Sequence, residues 1–335
     1  MLRFILRRLI LLVPVLVGLT VIMFVIARLL PGDPVALAAG PNATRAEIEA
    51  YAREFGLDQP LLVQYWHYAT GLLTGDFGVS IFTRRPVAMD LATYLPATLE
   101  LVFAAMALAI IVGIPTGLAA AVWRNRWPDY TSRVAALAAI SMPRFFLGLL
   151  LQLVFAMWLY MLPLGGRFPI ILDPPPFVTG FLTIDALIAG DLGAFATACR
   201  HLLLPALAMS LSPLATIMRM MRASTIEVLQ QDYVMTARAV GLSPRLIVFK
   251  YVLRNAVSST LTVIGLYFGW LLGGTVLVET VFDWPGIGLY ATKAIVAQDF
   301  MPVIGVALVI GLLFVVANLV IDILYGLINP KVRYS

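Results

Sequence analysis

Residue types able to carry covalent or metal chemistry are scarce in this chain of 335 residues. Cys199 is the only cysteine, which excludes an intramolecular disulfide and a Cys-cluster metal site, and it reads as an inert thiol. His67 and His201 are the only imidazoles, so soft or imidazole metal ligands cannot be assembled into a set. Lys250, Lys293 and Lys331 follow Phe249, Thr292 and Pro330, so the Gly-Lys-Ser/Thr ending of a nucleotide-binding P-loop is absent. No catalytic residue, no cofactor-binding residue and no metal ligand is therefore assigned to this chain. The residue out of place is Arg144, in Ser141-Met142-Pro143-Arg144-Phe145-Phe146. It lies 11 residues beyond Arg133, about 16 Å along a helix. If the helix enters a membrane near Arg133, Arg144 sits near mid-depth and faces a pathway or a partner. If the helix starts in the cytoplasm, the guanidinium snorkels to the inner interface. Pro143 is expected to kink the helix there.

The composition names the environment that must hold these residues. Hydrophobic residues make up 61% of the chain and charged ones 12%, against about 25% charged in an average soluble domain. That is too little charge to coat a water-soluble surface, and soluble-enzyme, disordered and nucleic-acid-binding readings are all disfavoured. Six uncharged stretches are long enough to cross ~30 Å of hydrocarbon. They are Leu9–Ala27, Leu101–Trp123, a long one ending in Phe145–Leu164, Leu202–Met218, Ala256–Val278 and Phe300–Ile321. The first could be taken for a signal peptide, with Arg3, Arg7 and Arg8 ahead of it and Ala36-Leu37-Ala38 after it. Its apolar run exceeds the usual signal length, so it reads as a retained anchor.

Charge orients the chain. The N-terminus, 123–133, 219–255 and the C-terminus hold fourteen Lys and Arg against Asp129, Glu227 and Asp232. The intervening segments hold eight basic and fourteen acidic residues. The basic side is read as cytoplasmic, with both termini inside. This asymmetry accounts for the net charge of +5 without a nucleic-acid partner. Glu100, Glu279 and Asp322 fall at the ends of spans, where water is near. No acidic residue lies mid-span, so a proton-coupled secondary carrier finds little support. A membrane scaffold or receptor without transport remains a different-class alternative.

Three connections are longer than the usual 2–8 residues between helices. The first, roughly 31–96, carries Thr44 and Glu47 spaced as a capping box, a break at Leu57-Asp58-Gln59-Pro60 and an amphipathic stretch over Leu61–Leu73. The second, 163–200, has helical apolar spacing over Thr183–Ala198 around Gly190 and is suited to scaffolding, docking or gating on the outer face. The third, 219–255, is cytoplasmic. Asp232 is placed to cap a helix over Tyr233–Val240, which Gly241 ends in a left-handed conformation. Ser243-Pro244 restarts a helix, with serine as cap and proline at the first helical position. Arg238, Arg245, Lys250 and Arg254 decorate this helix–Gly–helix, and Tyr233, Ala237, Val240 and Leu242 are read as an apolar face fit for a groove on another protein.

These residues resemble the first-type membrane permease of bacterial ABC importers for dipeptides, oligopeptides, glutathione and nickel complexes. The resemblance is carried by Leu30-Pro31-Gly32-Asp33-Pro34, Gly75-Asp76-Phe77-Gly78, the run Asp232–Gly241, Leu253-Arg254-Asn255-Ala256, Trp284-Pro285-Gly286, Asn318–Asp322 and Asn329–Tyr334. It implies an all-α integral membrane protein of six transmembrane helices, with the transmembrane domain of a type I importer. An N-terminal anchor (1–30), an extracytoplasmic element inserted after the first helix (31–95), helices two to six (96–328) and a cytoplasmic tail (329–335) follow from it. It implies that Asp232, Tyr233, Thr236, Ala237, Arg238, Gly241, Leu242, Ser243 and Arg245 form the loop that couples to an ATPase. The pattern there is Glu-Ala-Ala in the wider family and Met235-Thr236-Ala237 in this chain. The implied partners are a second related permease, two cytoplasmic ATPases that hold ATP and Mg, and an extracytoplasmic binding protein. At position 144 the family has an apolar or small residue, so the resemblance assigns Arg144 no role. Val178–Asp185 looks like dipeptide permeases, whereas Val122–Asp129 and Gly75–Val87 look like glutathione permeases.

Overall fold

The computed structural model describes residues 2–29, 44, 46 and 59–328. The expected capping box at Thr44 and Glu47, most of the 31–58 segment and the 329–335 tail lie outside the described residues. The described chain is helical, with one isolated backbone bridge between Val79 and Pro86.

The elements are α1 (Leu2–Leu29), α2 (Leu61–Leu73), α3 (Val87–Val122), α4 (Trp127–Ser141) and α5 (Arg144–Leu151), which runs into a π-helical segment Gln152–Trp158. Then come α6 (Leu182–Ile188), α7 (Leu192–Leu229), α8 (Asp232–Ala239), α9 (Pro244–Gly273), α10 (Val276–Val281), α11 (Ile287–Val296) and α12 (Phe300–Ile328). Among the described residues, α3, α7, α9 and α12 are each long and apolar enough to cross a membrane. The α4–α5 pair makes a fifth if its two halves are counted as one span. The chain is a multi-pass membrane protein.

The helices differ from the uncharged stretches in instructive ways. Helix α3 has 36 residues and α7 has 38, about 54 Å and 57 Å at the α-helical rise. Both project well beyond ~30 Å of hydrocarbon, because an apolar window marks where the bilayer is and not where the helix stops. Consequently 219–229, expected in a loop, is the end of α7, and the stretch expected to start a separate helix at Ser243 runs unbroken to Gly273. The expected span Ala256–Val278 is interrupted: α9 ends at Gly273 and α10 starts at Val276. The third span is bent by 105°, far more than the kink expected. Met142, held extended by the proline after it, ends α4, and Pro143 precedes the first residue of α5.

The core forms where α3 and α7 lie together. Leu101, Ala105 and Ala109, one helical face of α3, are buried against Leu204, Ala208 and Met209 of α7. Leu271 and Leu272 of α9, Phe282 and Trp284 close that cluster. Lipid tails are as apolar as leucine, so helices in a bilayer gain by close packing of backbones. Gly117 supplies this: a methyl group there would stand 2.5 Å from the Met218 carbonyl oxygen. One turn earlier, Gly113 meets Ile217 and the Leu214 carbonyl in the same way. On α1, large apolar side chains such as Ile10, Val13, Val17 and Ile22 are exposed, as suits a helix facing lipid.

Candidate functional site

The hairpin between α7 and α9 is held by its own backbone. At the end of α8 the Gly241 amide donates to the Arg238 carbonyl (3.0 Å) and the Leu242 amide to the Ala237 carbonyl (3.1 Å). These two bonds make a Schellman motif, which needs a left-handed residue. Gly241 supplies it with φ of 82°. Ser243 then caps α9, its Oγ accepting from the Leu246 amide at 3.4 Å with Pro244 next in line. Asp232 is not the cap expected of it. It is the first residue of α8, preceded by Gln231, and makes no capping bond. An aspartate in the first turn still complements the positive end of the helix. Thr236 returns its hydroxyl to the Asp232 carbonyl (2.9 Å).

The expected apolar face divides in two. Val234 and Ala237 are buried with Ile247 and Val252, and Leu242 packs on them. That small core fixes the angle of α8 against the start of α9. Tyr233 and Val240 point the other way and are exposed, as are Met235, Leu246 and Phe249. Arg238 and Arg245 are exposed beside them. The hairpin thus presents an apolar, basic-rimmed surface that no other described residue covers.

A buried ion pair braces the neighbouring helix ends. Asp129 at the start of α4 takes two hydrogen bonds from Arg222 of α7, at 2.7 and 3.0 Å, and one from the Asn125 amide at 2.9 Å. The Asp129 side chain is fully buried. Sequence reasoning counted Asp129 only as a charge. Its partner is 93 positions away, and no local pattern announces the pair.

At the opposite end of the helices, carboxylates tie connecting segments to α3. Glu279 of α10 accepts from the Thr98 hydroxyl (2.7 Å) and the Leu289 amide (2.8 Å), and Thr98 in turn accepts from the Ile287 amide (2.9 Å). Burial raises the Glu279 pKa, and the hydrogen bonds from Thr98 and Leu289 oppose that shift. Glu100 accepts from the Thr183 amide and hydroxyl and from Arg167. Both glutamates are buried, which corrects their reading as residues near water. Asp185 gathers the Thr179 and Gly180 amides. Burial pushes its carboxyl up, but the bond from the Thr179 hydroxyl and those from the Thr179, Val178 and Gly180 amides outweigh that and hold it below the usual carboxylate range.

Arg144 is the first residue of α5, half-buried. Its guanidinium meets Gly274: a methyl group on that glycine would stand 2.6 Å from Nη1. Gly274 follows the end of α9 remote from the hairpin. The side chain therefore reaches toward the far end of α9.

The sequence matches the family model of the binding-protein-dependent transport system inner membrane component over residues 113–334, and the model of that component's N-terminal part over residues 1–102. The chain is 47% identical over 321 residues to the probable D,D-dipeptide transport system permease protein DdpB of Escherichia coli K12, covering 96% of this chain and 94% of that protein. It is 44% identical over 336 residues to the di/tripeptide transport system permease protein DppB of Pseudomonas aeruginosa, covering both chains in full. It is 40% identical, again over both full lengths, to the glutathione transport system permease protein GsiC of Escherichia coli K12. With catalytic side chains scarce and the helices built to span a membrane, these matches close the argument: the chain belongs to the family of binding-protein-dependent transport system inner membrane components, the permease subunits of ABC importers.

Proposed function

We propose that this permease carries di- or oligopeptides into the cell as half of a translocation pathway, completed by a second, related permease. Two cytoplasmic ATPases drive it with ATP and Mg, and an extracytoplasmic binding protein delivers the substrate. Six transmembrane helices are counted if α1 and the bent α4–α5 pair each form one span, with the 31–95 insertion outside and both termini inside. The peptide relatives support this substrate, and the glutathione relative supports a second reading in which the same machinery carries glutathione.

The observation that carries the coupling role is the hairpin: a compact unit with a Schellman turn at Gly241, a Ser243 cap, Tyr233, Met235 and Val240 exposed and its own small core behind them. Asp232, Tyr233, Thr236, Ala237, Arg238, Gly241, Leu242, Ser243 and Arg245 make up this lever. Seated in an ATPase cleft, it converts closure of the ATPases into motion of α7 and α9, from which it hangs without slack. The test is reconstitution of the complex in vesicles, comparing wild type with Gly241→Val. A β-branched residue at positive φ is strained, so the variant inserts and assembles but hydrolyses ATP without matching uptake. Normal uptake by Gly241→Val removes the coupling assignment. Uptake by this chain alone on an ion gradient removes the importer reading, and a complex that purifies without ATPases favours a scaffold.

A further inference from the structure

Arg222 and Arg167 are paired with Asp129 and Glu100. Arg144 is also half-buried, yet among the described residues it makes no hydrogen bond and no ion pair. The surface around it is apolar and uncovered. Phe145, Phe146 and Leu149 of α5 are exposed, as are Leu266 and Trp270 of α9. A bare guanidinium opening toward hydrocarbon costs several kcal/mol, which favours a face turned toward a partner or a watery path. Its surroundings are also polar on one side. Tyr267 of α9 is within electrostatic reach of the guanidinium, and the Tyr267 hydroxyl is hydrogen-bonded to Thr216 of α7 at 2.9 Å. Two helix breaks meet at this spot, the 105° bend before Arg144 and the interruption at Gly274. The guanidinium lies directly over Gly274, where a Cβ would stand 2.6 Å from Nη1.

We propose that Arg144, together with the Tyr267–Thr216 hydroxyl pair, receives the carboxylate of a passing substrate on the translocation path. This rests on the peptide-importer reading and adds to it the group on the substrate that is recognised within the membrane. A guanidinium matches a carboxylate in two parallel hydrogen bonds, and the hydroxyl pair offers a further donor once Tyr267 turns from Thr216. Recognition of a terminus is indifferent to side chains, which suits a permease serving many peptides.

The test uses the assembled transporter in proteoliposomes with its binding protein, and compares uptake of alanyl-alanine with uptake of its C-terminal amide. The binding protein's own preference enters wild type and variant equally, so it cancels in the ratio of their two carboxylate-to-amide ratios. In Arg144→Leu that ratio is expected to fall about tenfold, through loss of a charge-assisted bond, and Tyr267→Phe gives a smaller fall in the same direction. If Arg144→Leu lowers the yield of complex, Arg144→Gln supplies the comparison. In a Cys199→Ala background, the thiol introduced by Arg144→Cys is expected to react with an anionic methanethiosulfonate, and alanyl-alanine is expected to slow that reaction. An unchanged ratio, an equal loss of both substrates (the signature of a contact with the sister subunit) or an unreactive thiol overturns the proposal. Absence of ATP-dependent uptake in wild type is a separate result, and sinks the importer reading itself.

Discussion

The hairpin between α7 and α9 and the opposite ends of the helices, at α3, α10 and α11, are both held by polar groups, but across different distances in sequence. In the hairpin every bond joins residues within six positions, as in Leu242 to Ala237 and Leu246 to Ser243. At the opposite ends, Thr98 and Glu279 are 181 positions apart and Glu100 and Thr183 are 83 apart. The first region is shaped by its own near neighbours, as the proposed lever requires. The second ties separate segments into one body, so that they move together or not at all. Tyr233, Met235 and Val240 of the hairpin are exposed, whereas Glu100 and Glu279 are buried and already hydrogen-bonded.

That contrast can be broken in order of expected effect. Asp129→Ala has the largest, because it strands the Arg222 guanidinium in a mostly buried place, at a cost of about 3 kcal/mol. The midpoint of thermal unfolding in detergent should fall clearly, and the double variant Asp129→Leu with Arg222→Leu should recover much of the loss. A fall in the double variant as large as in the single one would show that the pair is not the brace. Glu279→Ala comes next, about 2 kcal/mol, since it leaves the Thr98 hydroxyl and the Leu289 amide without their acceptor. Hydrogen exchange should rise across α10 and α11 and stay unchanged in the hairpin. Faster exchange in both regions would deny that they are independent. Ser243→Ala is the smallest, about 1 kcal/mol from a lost helix cap. Its exchange increase should be confined to residues 243–247.

The same difference in distance decided what could be read from the sequence. Gly241, Ser243 and Pro244 have roles set by neighbours two to six residues away, and the structure has the left-handed turn and the cap where the spacing puts them. The α2 helix was legible for the same reason, whereas the helical spacing over Thr183–Ala198 is broken at Gly190, whose φ of 71° lies in the turn between α6 and α7. Asp232 misled because Gln231 before it already takes the extended conformation of the capping position, leaving Asp232 inside the helix. The apolar face of the hairpin was half misread, since Ala237 and Leu242 serve its own core while Tyr233 and Val240 do not. Glu100 and Glu279 were read as bordering water because hydropathy records only their charge. Their burial depends on Thr183, Arg167, Thr98 and the Leu289 amide, which reach them only through the fold.

A photoreactive phenylalanine analogue placed at Tyr233 of the assembled, transporting complex offers the sharpest examination of the lever. Irradiation is predicted to join this chain to an ATPase subunit, giving a product with the summed mass of the two. If an actively transporting complex yields no such product, or if the probe is reached by a membrane-impermeant reagent from outside, the hairpin is not where ATP drives the permease.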